Sequence, residues 1–322
     1  MPLLNTPYLA PRGFASPHIQ TVFPKLRRRV RALRYRRERL ELADGDFLDL
    51  DWLAEGARAV SILCHGLESS SNETCMRGLA RALAHGGHTV LALNFRGCGG
   101  EANRLLRSYH AGVSEDLALV VEELSRRQAW ERIFLVGVSL GGNVVLKYLG
   151  ELGARAQGRI AAAAAISVPC DLAGSARQIA APANFIYLKA FMDSLKRKLR
   201  HKLRRWPGSL EARAVSGLRN FEDFDEFYTA PVHGFGHAAD YYRRCSSASL
   251  LAELRVPTLL INSRDDPFLV ESCFPFAVAR ASRHLHLLAP DSGGHVGFVQ
   301  FDGSGDYWHE RQVVDFFASA EG

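Results

Sequence analysis

Hydrophobic positions fall into two successive rhythms along the chain. Over 38–53 they alternate with polar ones. Arg39-Leu40-Glu41-Leu42 leads into the turn Asp44-Gly45-Asp46, and Phe47-Leu48-Asp49-Leu50-Asp51-Trp52 repeats the alternation, which predicts a hairpin. From Ala59 onward the apolar residues come as short, nearly unbroken runs. These are Ala59–Cys64, Thr89–Leu93, Ile133–Val136, Ile160–Val168, Thr258–Ile261 and Leu285–Leu288. Such runs suit parallel strands buried on both faces. Helical periodicity lies between and after them, over Thr74–His85, Val113–Arg127, Asn143–Leu152, Ser272–Ala281 and Trp308–Ser319. Strands alternating with helices predict an α/β fold, a mostly parallel central sheet flanked by helices.

Two stretches stand outside this alternation. Residues 1–24 carry Pro2, Pro7, Pro11, Pro17 and Pro24, which predicts an extended arm lying over the body, because proline fixes φ and removes a backbone donor. A basic, solvated connector continues it to residue 37. Residues 171–250 contain no core-strand pattern. They hold a basic helical pattern (Leu188–Trp206), then an acidic-aromatic patch (Phe221–Tyr228), then glycine, histidine and tyrosine. An insertion of this size between two core strands reads as a helical lid. The expected organisation is an arm and connector over 1–37, a core over 38–170 and 251–322, and a lid over 171–250.

Composition narrows the class. With 322 residues, 47% of them hydrophobic, the chain is neither disordered nor a disulfide-stapled miniature. Its net charge of +6 is local. Residues 25–39 hold nine Lys/Arg and one Glu, and residues 189–205 hold eight and one Asp. Elsewhere 23 basic residues face 32 acidic ones. This argues against a nucleic-acid partner and leaves two basic segments that could transiently meet an anionic membrane surface. Six scattered cysteines without a CxxC pair, no leader-like N-terminus and no apolar run of membrane-spanning length predict a cytoplasmic protein with reduced thiols.

The candidate chemistry centres on Gly137-Val138-Ser139-Leu140-Gly141, which follows one apolar run and opens a helical pattern. In G-x-S-x-G the serine occupies a strained strand-to-helix turn, and side chains at the flanking Gly137 and Gly141 would collide with neighbouring elements. The turn raises the Ser139 hydroxyl above the sheet edge and sets the Leu140 N–H at a helix N-terminus, where it can stabilise an oxyanion. A serine needs a base. His295, in a glycine-rich loop after the last strand run, is placed to be one. Asp265 and Asp266, after the preceding run, both supply an orienting acid, with Asp266 favoured because a proline and an apolar run follow it. The order Ser139, Asp266, His295 is the one expected for this topology.

A second oxyanion donor is expected from Cys64-His65-Gly66-Leu67-Glu68. There Gly66 permits close approach, the Leu67 N–H donates and His65 braces the loop. Arg96, near the same sheet edge, either binds an anion or holds its loop. The His233/His237 pair lacks further ligands, and neither a dinucleotide nor a phosphate-loop motif is present, so no metal and no cofactor are expected.

These residues resemble the α/β-hydrolase superfamily and, within it, the YheT-like hydrolases. The more specific markers are Ser16-Pro17-His18-Ile19-Gln20-Thr21, His65-Gly66-Leu67-Glu68, Asn94-Phe95-Arg96-Gly97-Cys98-Gly99, Gly137–Gly150, Asp265-Asp266-Pro267-Phe268 and Gly293–Phe298. The resemblance implies an α/β-hydrolase fold and a Ser-His-Asp serine hydrolase. It would cleave small-molecule carboxylic esters of short- to medium-chain acids, or lipid esters. Two other readings fit the same sequence, a hydrolase-fold binding protein with weak catalysis and a peripheral lipid-surface protein. The helix Leu188–Trp206 would either dock by its apolar stripe or meet acyl chains and anionic head groups.

Overall fold

The computed structural model describes residues 3–4, 6–30, 33–54 and 56–321. Met1, Pro2 and Asn5 of the arm, and Arg31 and Ala32 of the connector, lie outside them.

Eight strands form one sheet in the order β1-β2-β4-β3-β5-β6-β7-β8. The hairpin β1 (Arg36–Glu41) and β2 (Phe47–Leu53) is antiparallel, and β2 also pairs antiparallel with its other neighbour, β4 (Thr89–Asn94). β4 and the remaining strands, β3 (Ala59–Cys64), β5 (Arg132–Val138), β6 (Ile160–Ile166), β7 (Thr258–Ile261) and β8 (Leu285–Leu288), are parallel. These are the apolar runs of the sequence. A two-faced parallel sheet needs helices on both sides, and it has them.

On one face lie α2 (Thr74–His85) and the last helix. On the other lie α3 (Ser114–Arg127) and α4 (Leu140–Leu152), and each face has its own apolar core. β6 is nearly all alanine, which lets helices approach it closely from both faces.

Three expectations change. The arm is not extended throughout, because Pro17 opens a helix, α1 (Pro17–Arg27). Proline suits a first helical turn, where its missing N–H would have no partner. Only the segment before it is extended: Leu3 bridges Leu287 and the Leu4 N–H donates to the Leu287 carbonyl at 3.0 Å, so the arm covers the β8 edge. The connector is not wholly solvated. The Arg28 guanidinium is buried against the buried Glu310 carboxylate at 2.5 and 2.7 Å. The helix expected over Ser272–Ala281 is split by Pro275, leaving a single turn at Glu271–Cys273 and, separately, Phe276–Ala281.

Residues 171–250 contain helices alone: α5 (Leu172–Ile179), α6 (Phe185–Arg205), the short α7 (Phe221–Phe224) and α8 (Ala230–Val232), and α9 (Ala238–Cys245). The chain closes with α10 (Phe276–Ala281) and α11 (Trp308–Glu321). The apolar stripe of α6 (Met192, Leu195, Leu199, Leu203) is buried against Val215, Phe221, Phe224 and Tyr228.

Candidate active site

Ser139 follows directly on β5, and α4 starts at the next residue. Its backbone, at φ 53° and ψ −120°, lies in the left-handed region that L residues rarely adopt. Space explains the neighbouring glycines. A Cβ on Gly141 would come within 2.6 Å of the His65 carbonyl oxygen, and one on Gly137 within 2.5 Å of the Gly142 Cα. The sharp turn pushes the Ser139 side chain out over the ends of the strands.

The Ser139 Oγ lies 3.0 Å from His295 Nε2, and His295 Nδ1 lies 2.8 Å from Asp266 Oδ2. The Asp266 side chain is buried, and its other oxygen accepts the Phe268 N–H at 2.9 Å. Asp265 points elsewhere. It accepts the Gly294 N–H at 2.9 Å and so pins the histidine loop, and burial pushes its carboxyl pKa up. Of the two carboxylates open to sequence reasoning, Asp266 faces the imidazole.

The loop after β3 lies against the serine, with Gly66 directly beside the Ser139 side chain. His65 is fully buried. Its Nε2 accepts the Phe95 N–H at 3.1 Å and its Nδ1 donates to the Gly66 carbonyl at 2.7 Å. Burial pushes its pKa down to about 4, so it is a neutral brace between two loops. Leu67 and Leu140, the expected donors, both line the cavity that holds Ser139 and His295. Arg96 is engaged by Asp116 at 2.8 Å, Asp44 at 2.7 Å and Asp46 at 3.2 Å, and it holds its loop in place.

Three supporting contacts were not read from the sequence. The His295 N–H donates to the Thr21 hydroxyl at 2.9 Å, and that hydroxyl donates to the Pro17 carbonyl at 2.7 Å. The Val296 N–H donates to Ser167 Oγ at 2.9 Å. Glu68, next to Leu67 and itself at φ 53°, is held by Tyr109 (2.9 Å), by Ser194 of α6 (2.6 Å) and by Lys198 of α6 (3.0 Å). The Ser16–Thr21 and His65–Glu68 motifs were visible in the sequence, but partners up to 274 residues away were not.

Ser139 opens into a cavity of about 560 Å3, walled by apolar side chains such as Leu172, Ile179, Phe191, Leu195, Phe224 and Phe268. Lys202 of α6 donates to Asn103 Oδ1 and to the Leu105 and Arg107 carbonyls, and burial pulls its pKa down to about 8. It clamps this loop to α6. Burial pushes the Cys98 thiol up to about 11, so it does not compete as a nucleophile. His233 bonds to Thr229 and Ser108, and His237 caps α9. Among the described residues no His/Cys/Asp/Glu cluster suited to a metal ion occurs, and no helix is long and apolar enough to cross a membrane.

Residues 55–284 match the family described as serine aminopeptidase, S33. The chain is also 35% identical to the Escherichia coli protein YheT, named as an esterase, over 91% of this chain and 87% of that one. It belongs to the α/β-hydrolases, in the YheT-like group. This α/β-hydrolase is also 27% identical to human phospholipase ABHD3, over 83% of its own length and 68% of the relative's. It is 27% identical to the monoacylglycerol lipase of Saccharomyces cerevisiae, over 82% and 60%. In fold it matches the Pyrococcus furiosus esterase Pf2001, with a TM-score of 0.61 at 19% identity over 99% of this chain and 98% of that one.

Proposed function

We propose that this α/β-hydrolase cleaves carboxylic esters through Ser139, His295 and Asp266. The observation that carries the reading is the unbroken line of hydrogen-bonding distances from Asp266 through His295 to a serine hydroxyl that opens into an apolar cavity. His295 Nε2 takes the hydroxyl proton as Ser139 Oγ bonds to the ester carbonyl carbon, and the carbonyl electron pair moves onto oxygen. The Leu67 and Leu140 N–H groups receive that oxyanion. Its collapse breaks the ester C–O bond, and His295 returns the proton to the departing alcohol. Water then attacks the acyl-enzyme by the same route, giving the acid and free Ser139. Throughout, the Asp266 carboxylate holds the Nδ1–H tautomer and stabilises the imidazolium.

Residues 171–250 act as the cap that shapes the acyl site. A cavity of about 560 Å3 falls within the usual range of roughly 300–1,000 Å3 for a pocket taking a small organic ligand. With its apolar walls it suits short- to medium-chain acyl groups or one acyl chain of a lipid ester. Relatives named esterase, phospholipase, monoacylglycerol lipase and medium-chain fatty acid ethyl ester synthase/esterase support the same class.

Fluorophosphonate labelling followed by peptide mass spectrometry tests the nucleophile. Label is expected on Ser139 and lost in Ser139→Ala, and p-nitrophenyl esters of rising chain length then define the acyl preference. Folded protein that takes no label and cleaves no ester would overturn the reading in favour of a hydrolase-fold binding protein.

A further inference from the structure

We propose that the outward face of α1, with the first turn of α6, is a docking surface for an anionic lipid membrane. α1 carries apolar side chains on its outward face, with Pro24 and Gln20 packed inward. Its polar Gln20 is fully buried and Thr21 reaches His295, whereas Ile19, Val22 and Leu26, at i, i+3 and i+7, point to solvent. A helix on a protein surface in water normally shows the reverse. Leu26 is 72% exposed. Phe301, at 61%, extends the patch by packing on Phe14 and Phe23 at 5.3 and 5.8 Å. Phe185 and Ile186 at the start of α6 are 62% and 78% exposed. They join α1 where the His18 ring stacks on Tyr187, with Nδ1 3.1 Å from the phenol oxygen. Together these account for most of the exposed large apolar side chains among the described residues. Exposed apolar residues concentrated in one area mark an interface.

Charge selects the occupant. No Asp or Glu occurs in residues 1–37, and Arg12, Lys25, Arg27 and Arg29 are exposed on α1 and its flanks. Apolar residues ringed by cations fit the boundary between acyl chains and anionic head groups. A second copy docking by the same face would oppose like charges. The position also suits the ester reading, on which this step rests. Tyr187 packs on Phe268 at 4.9 Å, and Phe268 both lines the cavity and lies 4.4 Å from the His295 ring. A membrane seated here would place lipid esters beside the wall of the cavity.

Co-sedimentation with vesicles tests the surface directly. The protein is expected to bind equal mixtures of phosphatidylcholine and phosphatidylglycerol at least about tenfold more tightly than phosphatidylcholine alone, and to be released by salt. The double variants Ile19→Ser/Leu26→Ser and Phe185→Ser/Ile186→Ser should each weaken that binding about tenfold or more. Their kcat/KM on a water-soluble short ester should stay within about twofold of the parent, because these side chains face solvent. No binding by the parent, or parental binding by both variants, overturns the proposal. So does a dimer in light scattering that the variants dissolve, which would make the occupant a second copy. If the ester reading alone were wrong, vesicle binding would persist with no hydrolysis.

Discussion

Asp266→Asn removes a charge at almost constant volume, and the structure dictates how the amide must sit. Asp266 Oδ1 already accepts the Phe268 N–H at 2.9 Å, so the amide oxygen has to stay there and the NH2 has to face His295 Nδ1. An NH2 in that place requires Nδ1 to be bare, which moves the ring proton to Nε2, the nitrogen 3.0 Å from the Ser139 hydroxyl. His295 would then donate to the serine instead of accepting its proton. Flipping the amide sets two donors against each other in a buried site, at about 1–3 kcal/mol, and still leaves the imidazolium without a counter-charge. The expected loss in kcat is about 10⁴-fold, as for the same change in a serine-protease triad, or about 5 kcal/mol of transition-state stabilisation. Asp265→Asn keeps an oxygen for the Gly294 N–H and should cost less than about tenfold. Steady-state hydrolysis of a soluble ester and the rate of fluorophosphonate labelling measure both, with thermal melts as the folding control. If Asp266→Asn keeps more than about a tenth of the activity, or Asp265→Asn falls equally far, the assignment of the acid is refuted.

Other perturbations probe the scaffold. Thr21→Val deletes the acceptor for the His295 N–H and should lower kcat about tenfold with KM nearly unchanged, while Thr21→Ser recovers most of it; a fall shared by the serine variant would point to helix packing instead. Arg28→Met strands the Glu310 carboxylate in the interior and should cost about 3–5 kcal/mol in urea unfolding at pH 7. Burial already pushes the Glu310 pKa up, so this deficit should shrink as the pH falls and the carboxyl takes a proton; a deficit unchanged by pH would contradict that account. Burial raises Asp225 from 3.8 to about 6, so the fold favours its protonated form. That contribution is complete below pH 3.8 and lost as the pH rises through about 6. Asp225→Asn should therefore flatten this part of the stability curve and stabilise the protein at pH 7, and a parental pH profile in the variant would count against it.

The strands were legible because a sheet buried on both faces demands unbroken apolar runs, and β3, β7 and β8 begin and end where those runs do. The turn at Ser139 was legible because few other arrangements require glycine on both sides of a strained residue. Harder to read were places where one residue type serves two purposes. Pro17 looked like part of an extended arm and instead starts a helix, and Pro275 interrupts a periodicity that looked continuous. Arg28 sat in a run of apparently solvated cations, but it is the one that meets Glu310. Composition cannot distinguish it from Arg27, because the partner lies 282 residues on. Asp265 and Asp266 were both open in the sequence, where the proline and apolar run after Asp266 favoured it, and the path of the loop turns Asp266 toward the imidazole and Asp265 toward the Gly294 N–H.

β6 lies in the sheet between β5, which ends at Ser139, and β7, which leads to Asp266. The connection from β6 to β7 supplies much of the cavity wall facing the serine, including Leu172, Ile179, Phe191, Leu195 and Phe224. Residues added to that connection break no strand pairing, while Tyr187 and Asn184 tie its near end to Phe268 and to the Pro267 carbonyl beside Asp266. On the proposed ester reading, substrate preference and chemistry are then set largely by different segments of the chain. A lineage can lengthen, shorten or recharge a single crossover and change its diet while its reaction stays the same.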